Sequence, residues 1–395
     1  MTVADKTGRT EKRALHVLTL TPFYPNESDD GAGCFVAEPL RALSDSKVIS
    51  TVFALQPFYR KQLRAAESGH AAEWLRYVSL PTNFGLPSAG FFAFARILGR
   101  IRDLNSRQPI DLIHAHAPLP AGHVAMLLNA ELGFPYVVSV HGLDVFSTGQ
   151  MNGRVGRWCR RISRLVYQRS KRVLCVSEAV RERVLEGMPA ACRTSVVYNG
   201  VDAELFSPGS VAASQKTTVL SVGNLLPSKG HEVLIRAIGD IAPEFPNLAL
   251  EIIGEGPELA HLQQVIQDLN LTQQVTFLGR RSRREVADAM RRCVLFALPS
   301  SYEGLGCVYL EAMSTAKPAV GCRGQGIAEI IRHGENGFLV GAGNVKELSL
   351  LLAMMFRDPQ GRNNVGAAAR DTILDRFTLA QQAEHLARIY RECAG

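Results

Sequence analysis

Short runs of apolar and β-branched residues alternate with stretches of helical periodicity along most of this chain. In the first half these runs occupy residues 15–21, 51–56, 111–116, 136–141, 173–177 and 195–198. In the second half they occupy residues 218–222, 248–253, 275–278, 294–298 and 318–321, with helical patterns such as 231–241 and 257–270 between them. This alternation is typical of parallel sheets covered by helices on both faces, so we expect an α/β protein.

The length predicts more than one domain. A chain of 395 residues exceeds what one hydrophobic core usually supports. Residues 206–216 are small, polar and turn-rich and divide the chain nearly in half. We expect an N-terminal domain over 1–205, a linker over 206–216 and a C-terminal domain over 217–376. Residues 377–395 are expected to form a helix that packs back on the first domain.

Composition indicates a soluble globular protein, with 46% hydrophobic and 21% charged residues. No apolar stretch approaches the length of a membrane span. Residues 1–6 lead into polar sequence without the core of a signal peptide, so we expect a cytoplasmic protein. The eight cysteines are scattered without a Cys-x-x-Cys pair, which predicts reduced thiols rather than disulfides or a zinc site.

The formal net charge of +7 is concentrated in residues 154–172, where arginines and lysines alternate with apolar residues. Such a helix can lie on an anionic membrane surface, which would make the protein peripheral at the inner membrane face. It can also face an anionic substrate or nucleic acid, or be a surface helix with one core face. Residues 84–102 carry several aromatics that either contact lipid or pack as an ordinary helix.

Two carboxylates, Glu303 and Glu311, stand eight positions apart around a Gly-x-Gly that runs into a helical pattern. An apolar run precedes them, so the segment predicts a strand, a tight loop and a helix start. The first N–H groups of a helix are unpaired and carry partial positive charge, which suits a phosphate. The two carboxylates can then hold hydroxyls on either side of a diphosphate, as in a nucleotide-sugar. The alternative is a plain turn with two solvated carboxylates.

Three further motifs fall where strands are predicted to end. Gly31 and Gly33 would let backbone approach a phosphate or a sugar, although a plain glycine-rich turn has the same pattern. His141 closes an apolar strand and precedes Gly-Leu-Asp144, and it is either a sugar-binding group or a core histidine. Lys229 comes at a helix start, where it is either a cation for a departing diphosphate or a solvated loop lysine.

His114 and His116 share one face of a predicted strand, because side chains alternate with a period of two. A metal site would need a third ligand, and the sequence offers no clear one, so we expect no metal. We place His116 near the mouth of the cleft instead. Residues 321–329 form another glycine-rich strand-to-helix turn, whose N–H groups can bind sugar hydroxyls.

Taken in order, these motifs resemble those of the family-four retaining glycosyltransferases. That family has the GT-B fold, in which two Rossmann-like domains face each other across a cleft. The resemblance covers almost the whole chain. It rests on the first glycine loop, His-Gly-Leu-Asp at 141–144, Tyr-Asn-Gly-Val-Asp at 198–202, Gly-Asn-x4-Lys-Gly at 223–230, Phe-Leu-Gly-Arg at 277–280 and Glu-x7-Glu at 303–311. Each motif is modest alone, but their order and spacing are specific.

The resemblance implies how the second domain would hold a nucleotide-sugar donor. It implies that Glu311 binds the ribose and that Glu303 contacts the donor sugar. It also implies that Lys229 holds the diphosphate, assisted by the N–H groups near Leu305 and Gly306.

The resemblance further implies that Gly33 approaches the diphosphate from the first domain and that His141 contacts the transferred sugar. The backbone around Arg280 would hold the base. The candidates for the acceptor side are His116, Asp144 and Asn199.

One position departs from the family pattern. The family often has an arginine where this chain has Asn224, as a second cation on the diphosphate. Asparagine can donate hydrogen bonds but carries no charge. Lys229 would then supply more of the leaving-group stabilisation, or another cation such as Arg323 would share it.

The resemblance implies transfer of a sugar to an acceptor hydroxyl with retention, without a metal ion or a separate cofactor. UDP is the expected carrier, with GDP and ADP open. The basic stretch and the likeness to bacterial surface-polymer enzymes favour a glycan or lipid-linked glycan acceptor, and no nucleic-acid partner is expected. The alternatives are a nucleotide-binding regulatory protein without turnover, or an epimerase or phosphorylase on the same scaffold.

Overall fold

The computed structural model describes residues 13–64, 71–145, 153–188, 192–209 and 217–395. Within these residues the strands form two separate parallel sheets, one in each half of the chain. The α/β prediction is thereby confirmed. Much of the core consists of strand residues buried on both faces of a sheet, which is why their sequences read as continuous apolar runs.

The first sheet has seven strands in the order β3-β2-β1-β4-β5-β6-β7. The strands are β1 (Leu15–Thr21), β2 (Val48–Pro57), β3 (Ala72–Tyr77), β4 (Leu112–His116), β5 (Tyr136–Val140), β6 (Arg172–Cys175) and β7 (Thr194–Val196). The helices of this half are α1 (Cys34–Ala42), α2 (Leu86–Arg107), α3 (His123–Leu132), α4 (Gly153–Arg169) and α5 (Glu178–Glu186).

The second sheet has six strands in the order β10-β9-β8-β11-β12-β13. The strands are β8 (Thr217–Val222), β9 (Leu248–Ile253), β10 (Val275–Gly279), β11 (Leu295–Ala297), β12 (Ala319–Cys322) and β13 (Phe338–Val340). The helices are α6 (His231–Ile241), α7 (Leu259–Asp268), α8 (Arg283–Arg292), α9 (Cys307–Ser314), α10 (Val345–Arg357), α11 (Pro359–Arg376) and α12 (Leu379–Ala394).

Sequence patterning missed two strands, β3 and β13, and both lie at a sheet edge. Glu73 and Arg76 lie on opposite faces of β3, and each interrupts the apolar pattern of its face. β13 is only three residues long. Edge strands are buried on fewer sides, so their sequences carry a weaker apolar signal.

The helix α12 packs on the first domain, although it follows the second domain in sequence. Its buried Leu386 and Tyr390 join the same core cluster as Leu40 of α1. The chain crosses back at Val201, which forms an isolated parallel bridge with Thr378. The C-terminal helix thus covers one face of the first sheet.

The bounds of the linker over 206–216 stay a prediction. Its first residue, Phe206, is fully buried and belongs to the main core cluster. Residues 210–216 lie outside the described residues.

Two further observations concern membrane-spanning helices and disulfide bonds. No helix in the described part of the chain combines the length and apolarity that a membrane span needs. All eight cysteines are free thiols.

Both sheets reverse their strand order next to their first strand, between β1 and β4 and between β8 and β11. Ligands of open α/β sheets bind in the crevice outside the carboxyl ends of the strands at such a point. The loops that follow β1, β5, β8 and β11 line one shared cleft here. The motifs singled out in the sequence lie on these loops.

Candidate active site

The cleft between the two sheets has a volume of about 690 Å³. That size is within the range of small-molecule sites. Its lining includes every donor-site residue expected from the sequence: Gly33, His141, Asn224, Lys229, Arg280, Glu303, Leu305, Gly306 and Glu311. Folding therefore gathers onto one surface residues that lie up to 278 positions apart, from Gly33 to Glu311.

A glycine with positive φ precedes a helix on each side of the cleft. Gly33 (φ 67°) caps α1, and Gly306 (φ 82°) caps α9. A Cβ on Gly33 would lie 2.5 Å from the carbonyl carbon of Phe23, so no other residue fits without a shift. Two helix N-termini thus open onto the same cleft, and each offers unpaired N–H groups to an anion.

Lys229 and Glu303 form an ion pair on the second domain's side of the cleft. Lys229 ends the short turn before α6, and Glu303 lies in the loop between β11 and α9. The side chains are 21% and 12% exposed, so both groups are largely shielded from water. The pair places a cation beside the N-terminus of α9, where negative charge is favoured.

Glu311 lies on the second turn of α9 and is 2% exposed. One carboxylate oxygen, Oε1, accepts from Nη1 of Arg283. Among the described residues, Oε2 has no hydrogen-bond partner although it is buried. A buried carboxylate oxygen without a donor is costly, so this atom is available to a ligand hydroxyl.

Arg283 is a site residue that sequence reasoning missed. It is the first residue of α8, and its guanidinium also donates to Glu38 Oε1 of the first domain, from Nη2 at 2.7 Å and from Nε at 3.1 Å. The only sequence signal was a cluster of arginines after the Phe-Leu-Gly-Arg motif. Nothing in that cluster distinguishes a buried arginine from its exposed neighbours.

Arg280 lies at the other end of the same loop and lines the cleft. Its guanidinium pairs with Asp29, in the glycine loop of the first domain. Its Nε is 3.6 Å from Glu255. The side chain of Arg280 therefore contacts carboxylates from both domains, while the base role was expected only of the backbone around it.

His141 directly follows β5 and lines the cleft near the rings of Phe23 and Phe35, with centroid distances of 6.1 and 4.6 Å. Burial lowers the pKa of its imidazole to about 3, so the ring is neutral at physiological pH. Its Nδ1 is buried without a partner among the described residues. A neutral imidazole nitrogen in the cleft can exchange a hydrogen bond with a sugar hydroxyl.

Asp144 holds the backbone beneath His141 rather than facing the cleft. Its Oδ1 accepts from the N–H groups of His141 and Gly142, both at 2.8 Å. Burial raises the pKa of Asp144 to about 6, and these backbone hydrogen bonds oppose the rise. Asp144 was a candidate for the acceptor side, but the structure gives it a contact with the loop and places it outside the cleft lining.

His116 is also placed behind His141 and not at the cleft mouth. The two rings are stacked at 5.3 Å, and His116 Nδ1 lies 3.1 Å from His141 Nε2. His114 follows behind, with its two nitrogens 2.7 Å from Tyr390 Oη and Ser139 Oγ. Burial lowers the pKa of His116 well below its ordinary value, so this row of histidines is neutral.

Asn199, the third acceptor-side candidate, does line the cleft. Its Nδ2 donates to Cys307 Sγ across the cleft at 3.2 Å. Asn224 lines the cleft as well and is exposed. Asn199 and Asn224 are both uncharged, so the charge of the cleft lining comes from other residues.

Arg323 does not take the place of a cation beside Asn224. Its guanidinium is 2.7 Å from Glu347 and also donates to the carbonyl of Leu339 at 2.9 Å. It is not among the residues that line the cleft. In the described part of the chain, the cations of the cleft lining are Lys229, Arg60, Arg280, Arg281 and Arg283.

The two domains also meet beside the site, through contacts that the sequence did not predict. Ser177 Oγ donates to the carbonyl of Gly304 at 2.6 Å. A Cβ on Gly304 would lie 2.2 Å from the carbonyl oxygen of His141, so the loops after β5 and β11 touch through backbone. Glu329 accepts from the first two N–H groups of α5, each at 2.8 Å. The two domains are therefore in direct contact beside the cleft.

Among the residues described, there is no group of three or more histidine, cysteine or acidic side chains arranged to hold a metal ion.

Comparisons with known proteins agree with this architecture. Residues 30–205 match the family described as Glycosyltransferase Family 4, and residues 202–372 match Glycosyl transferases group 1. An uncharacterized glycosyltransferase of Methanocaldococcus jannaschii is 30% identical over 292 residues, which are 74% of this chain and 78% of that protein.

A second relative is the GDP-mannose-dependent alpha-(1-6)-phosphatidylinositol monomannoside mannosyltransferase of Mycolicibacterium smegmatis. It is 27% identical over 343 residues, covering 82% of this chain and 85% of that protein. Among solved structures, Anabaena HepE in complex with UDP-glucose superposes with a TM-score of 0.74 at 21% identity, covering 96% of this chain and 100% of that chain. The chain belongs to the family-four glycosyltransferases and has the GT-B fold.

Proposed function

We propose that this glycosyltransferase moves a sugar from a UDP-sugar to an acceptor hydroxyl with retention of the anomeric configuration. The observation that carries the proposal is Glu311 Oε2, a buried carboxylate oxygen without a partner among the described residues. It lies in the same cleft as the Lys229–Glu303 pair and two glycine-capped helix starts. A nucleoside diphosphate has ribose hydroxyls that can donate to Glu311 and an anionic diphosphate that Lys229 and the helix starts can bind.

In this proposal the second domain holds the donor. Glu311 accepts hydrogen bonds from the ribose, and the backbone around Arg280 faces the base. The N–H groups near Leu305 and Gly306, together with Lys229, hold the diphosphate. The relatives support a nucleotide-sugar donor in general, since one was solved with UDP-glucose and another is named for GDP-mannose. UDP remains the preferred carrier of the proposal.

The first domain would complete the site around the sugar. Gly33 brings the start of α1 towards the diphosphate, and His141 presents its free Nδ1 to a hydroxyl of the transferred sugar. Glu303 would accept another sugar hydroxyl. Asn199 is the acceptor-side candidate that lines the cleft, while His116 and Asp144 support His141 from behind.

In the proposed reaction, the acceptor hydroxyl attacks the anomeric carbon from the same face that the diphosphate leaves. The acceptor oxygen bonds to that carbon as its bond to the phosphate oxygen breaks. The acceptor proton passes to the leaving phosphate oxygen, so no protein base is required. Lys229 and the helix N-termini stabilise the negative charge that develops on the diphosphate, which is the work a metal ion does elsewhere. We propose no cofactor besides the donor.

We propose a glycan or lipid-linked glycan of a bacterial surface polymer as the acceptor, reached at the inner face of the membrane. The helix α4 supports a membrane-facing role, because it contains six basic residues and no acidic one. Its Trp158 is 55% exposed, and Phe91 and Phe92 of the neighbouring α2 are 57% and 43% exposed. Exposed aromatics beside a basic helix suit an anionic lipid surface.

The experiment that tests the proposal combines binding with turnover. A thermal-shift panel of UDP-, GDP- and ADP-sugars reports the carrier and the sugar, since a bound ligand raises apparent stability. The stabilising donor is then incubated with candidate lipid-linked and soluble glycans. Release of nucleoside diphosphate only in the presence of acceptor supports a transferase. Binding without release in any mixture supports a regulatory protein, and conversion of the donor without acceptor supports an epimerase.

A further inference from the structure

Arg283 joins the two domains at the donor site. Its position follows from the local sequence, because Ser282 caps α8 in a capping box with Glu285 and so fixes the first helical residue at the cleft. The backbone N–H of Arg283 lies 3.2 Å from both carboxylate oxygens of Asp30 in the first domain. Its guanidinium lies over the ring of Phe206 at 4.7 Å. These contacts hold the side chain in one direction.

The guanidinium is shared between two carboxylates of opposite domains. Nε and Nη2 donate to Glu38 on α1, and Nη1 donates to Glu311 on α9. The side chains of Arg283, Glu38 and Glu311 are 13%, 12% and 3% exposed. Burial would lower the pKa of Arg283, but the carboxylates outweigh it and keep the pKa above its ordinary value. Removing one partner from such a buried group is costly.

Because the Arg283 guanidinium is shared, it donates to one of the two carboxylate oxygens of Glu311 and leaves the other open. Arginine prefers to bind a carboxylate through two parallel N–H···O bonds, one to each oxygen. Here Arg283 donates to Oε1 of Glu311, and Oε2 has no partner among the described residues. Nε and Nη2 of the guanidinium donate to Glu38. Glu38 therefore keeps Arg283 from covering both oxygens of Glu311.

Glu38 itself does not line the cleft, whereas Arg283 and Glu311 do. It lies behind Arg283 on α1, in the domain opposite the ribose-binding carboxylate. Its contact with the cleft lining is the pair of hydrogen bonds that it accepts from Arg283, so Glu38 can act on a nucleotide in the cleft through that residue.

We propose that Arg283 is a positioning residue that makes ribose binding by Glu311 depend on Glu38 of the opposite domain. This inference rests on the proposed function, in which Glu311 receives the ribose hydroxyls. With Glu38 in place, one oxygen of Glu311 stays open for a hydroxyl. Without Glu38, the Arg283 guanidinium donates hydrogen bonds to both carboxylate oxygens of Glu311 and so competes with the ribose.

A double-mutant cycle on the full chain tests the dependence, with calorimetry of UDP binding to Glu38→Gln, Arg283→Gln and the double variant. Glu38→Gln should weaken UDP binding by about tenfold, and it should cause no further loss once Arg283 is glutamine, because residues in one network are coupled. Glu38→Asp should recover part of the affinity. Inorganic pyrophosphate has no ribose, so its binding should be the same in Glu38→Gln and the unmodified protein.

Two controls separate this effect from a general loss of structure. Glu131→Gln removes an exposed carboxylate that pairs with Arg102 in the same domain and should leave UDP binding unchanged. Thermal unfolding of each variant reports folding. Unchanged UDP binding in Glu38→Gln would overturn the inference, as would an equal loss in the presence and absence of Arg283 or an equal loss of pyrophosphate binding.

A crystal structure of Glu38→Gln tests the inference without any nucleotide. We expect both oxygens of Glu311 to be within hydrogen-bond distance of the Arg283 guanidinium. An Arg283 that keeps its single contact with Glu311 would refute the proposal by itself. Failure of the unmodified protein to bind UDP, GDP or ADP would instead refute the proposed function, and the crystal structure would still decide the arrangement of Arg283.

Discussion

Lys229 and Glu303 are ion-paired in the cleft although they lie 74 positions apart. The pair joins the loop that follows β8 to the loop that follows β11, and those two strands are neighbours in the second sheet. Glu303 therefore directs the Lys229 ammonium group at the place where α9 begins. A diphosphate bound there would meet a cation that is already oriented, so less ordering is needed during the reaction.

Lys229→Ala should lower kcat by about a hundredfold or more, since one charged donor to a developing oxyanion typically contributes around 3 kcal/mol. The measurement is steady-state turnover at saturating donor. Arg323→Ala is a matched control, because Arg323 pairs with Glu347 outside the cleft lining and its loss should leave kcat near normal. Near-normal turnover of Lys229→Ala would assign the leaving-group charge to another cation of the cleft, with Arg280 the first to examine.

Glu311→Gln should weaken binding of the nucleoside diphosphate by about 1.5–3 kcal/mol, because an amide has one acceptor oxygen where the carboxylate has two charged ones. Calorimetry with UDP measures the change directly. The thermal unfolding of the variant should be measured as well, because the substitution also removes the negative partner of Arg283. A dissociation constant equal to that of the unmodified protein would show that Glu311 does not bind the ribose.

Turnover should survive excess EDTA. The cationic charge at the diphosphate is expected from Lys229 and the starts of α1 and α9, rather than from a divalent ion. The assay compares initial rates with and without the chelator after removal of adventitious metal. Loss of activity that magnesium or manganese restores would contradict the proposed mechanism.

Binding to vesicles should require anionic lipid and weaken with salt, because exposed charges are screened beyond about 8 Å at physiological ionic strength. The variant that tests α4 replaces its exposed Arg154, Arg157 and Arg161 with glutamine. At roughly 1 kcal/mol per basic residue, it should lose about 3 kcal/mol of vesicle affinity. Arg164 is left intact, since it donates to the carbonyl of Gly187 at 2.8 Å and supports the fold.

Co-sedimentation with phosphatidylcholine vesicles, with and without phosphatidylserine, measures this affinity. A control variant removes three arginines of the second domain, namely Arg236, Arg332 and Arg357, and should sediment like the unmodified protein. Donor binding should be intact in both variants. If the unmodified protein does not sediment with anionic vesicles at low salt, the membrane-facing role of α4 is excluded.

Folding stability should fall as pH drops below about 6.5, because several histidines are buried in the neutral form. Burial lowers the pKa of six histidines: to about 3 for His114 and His141, to about 4 for His123 and His231, well below the ordinary value for His116, and below it for His385. In the unfolded chain each takes up a proton near pH 6.5, whereas the folded protein does not. The stability is therefore complete above pH 6.5 and is lost as the pH falls towards the folded pKa values.

Asp144 acts in the opposite direction over part of this range. Its pKa is raised to about 6, so the folded protein binds this proton before the unfolded chain does as the pH falls from 6 towards 4. Burial also raises the pKa of Glu38, which acts in the same direction as Asp144, and these two carboxyl groups offset only part of the effect of the six histidines. Urea unfolding at pH 7 and pH 5 measures the sum. His123→Asn should reduce the difference by about 1–2 kcal/mol, and an unchanged difference would contradict the assignment.

The sequence alone determined the fold class and predicted many of the residues that line the cleft. The fold followed because strands buried on both faces need continuous apolar residues, and helices between them need a different period. Several residues of the cleft lining were predicted because glycine loops and carboxylates at strand ends are expected to meet at the carboxyl edge of a parallel sheet, and their donor-binding roles are what the family resemblance implies. Gly33, Lys229, Glu303 and Glu311 line one cleft as that reasoning requires. The edge strand β3 escaped it because polar residues on both of its faces, Glu73 and Arg76, break the apolar pattern.

Only the tertiary structure decided how the two domains meet. Arg283, Glu38 and Ser177 are ordinary polar residues in sequence, and nothing local marks them as partners across a cleft. His116 and Asp144 were expected to face the acceptor, yet they lie behind His141, because a strand end sends some polar side chains into the domain and others out of it. Periodicity within one element tells which residues share a face. Periodicity does not predict which face of another domain will pack against that element. Arg283 and Glu38 are in contact although they lie 245 positions apart in the sequence.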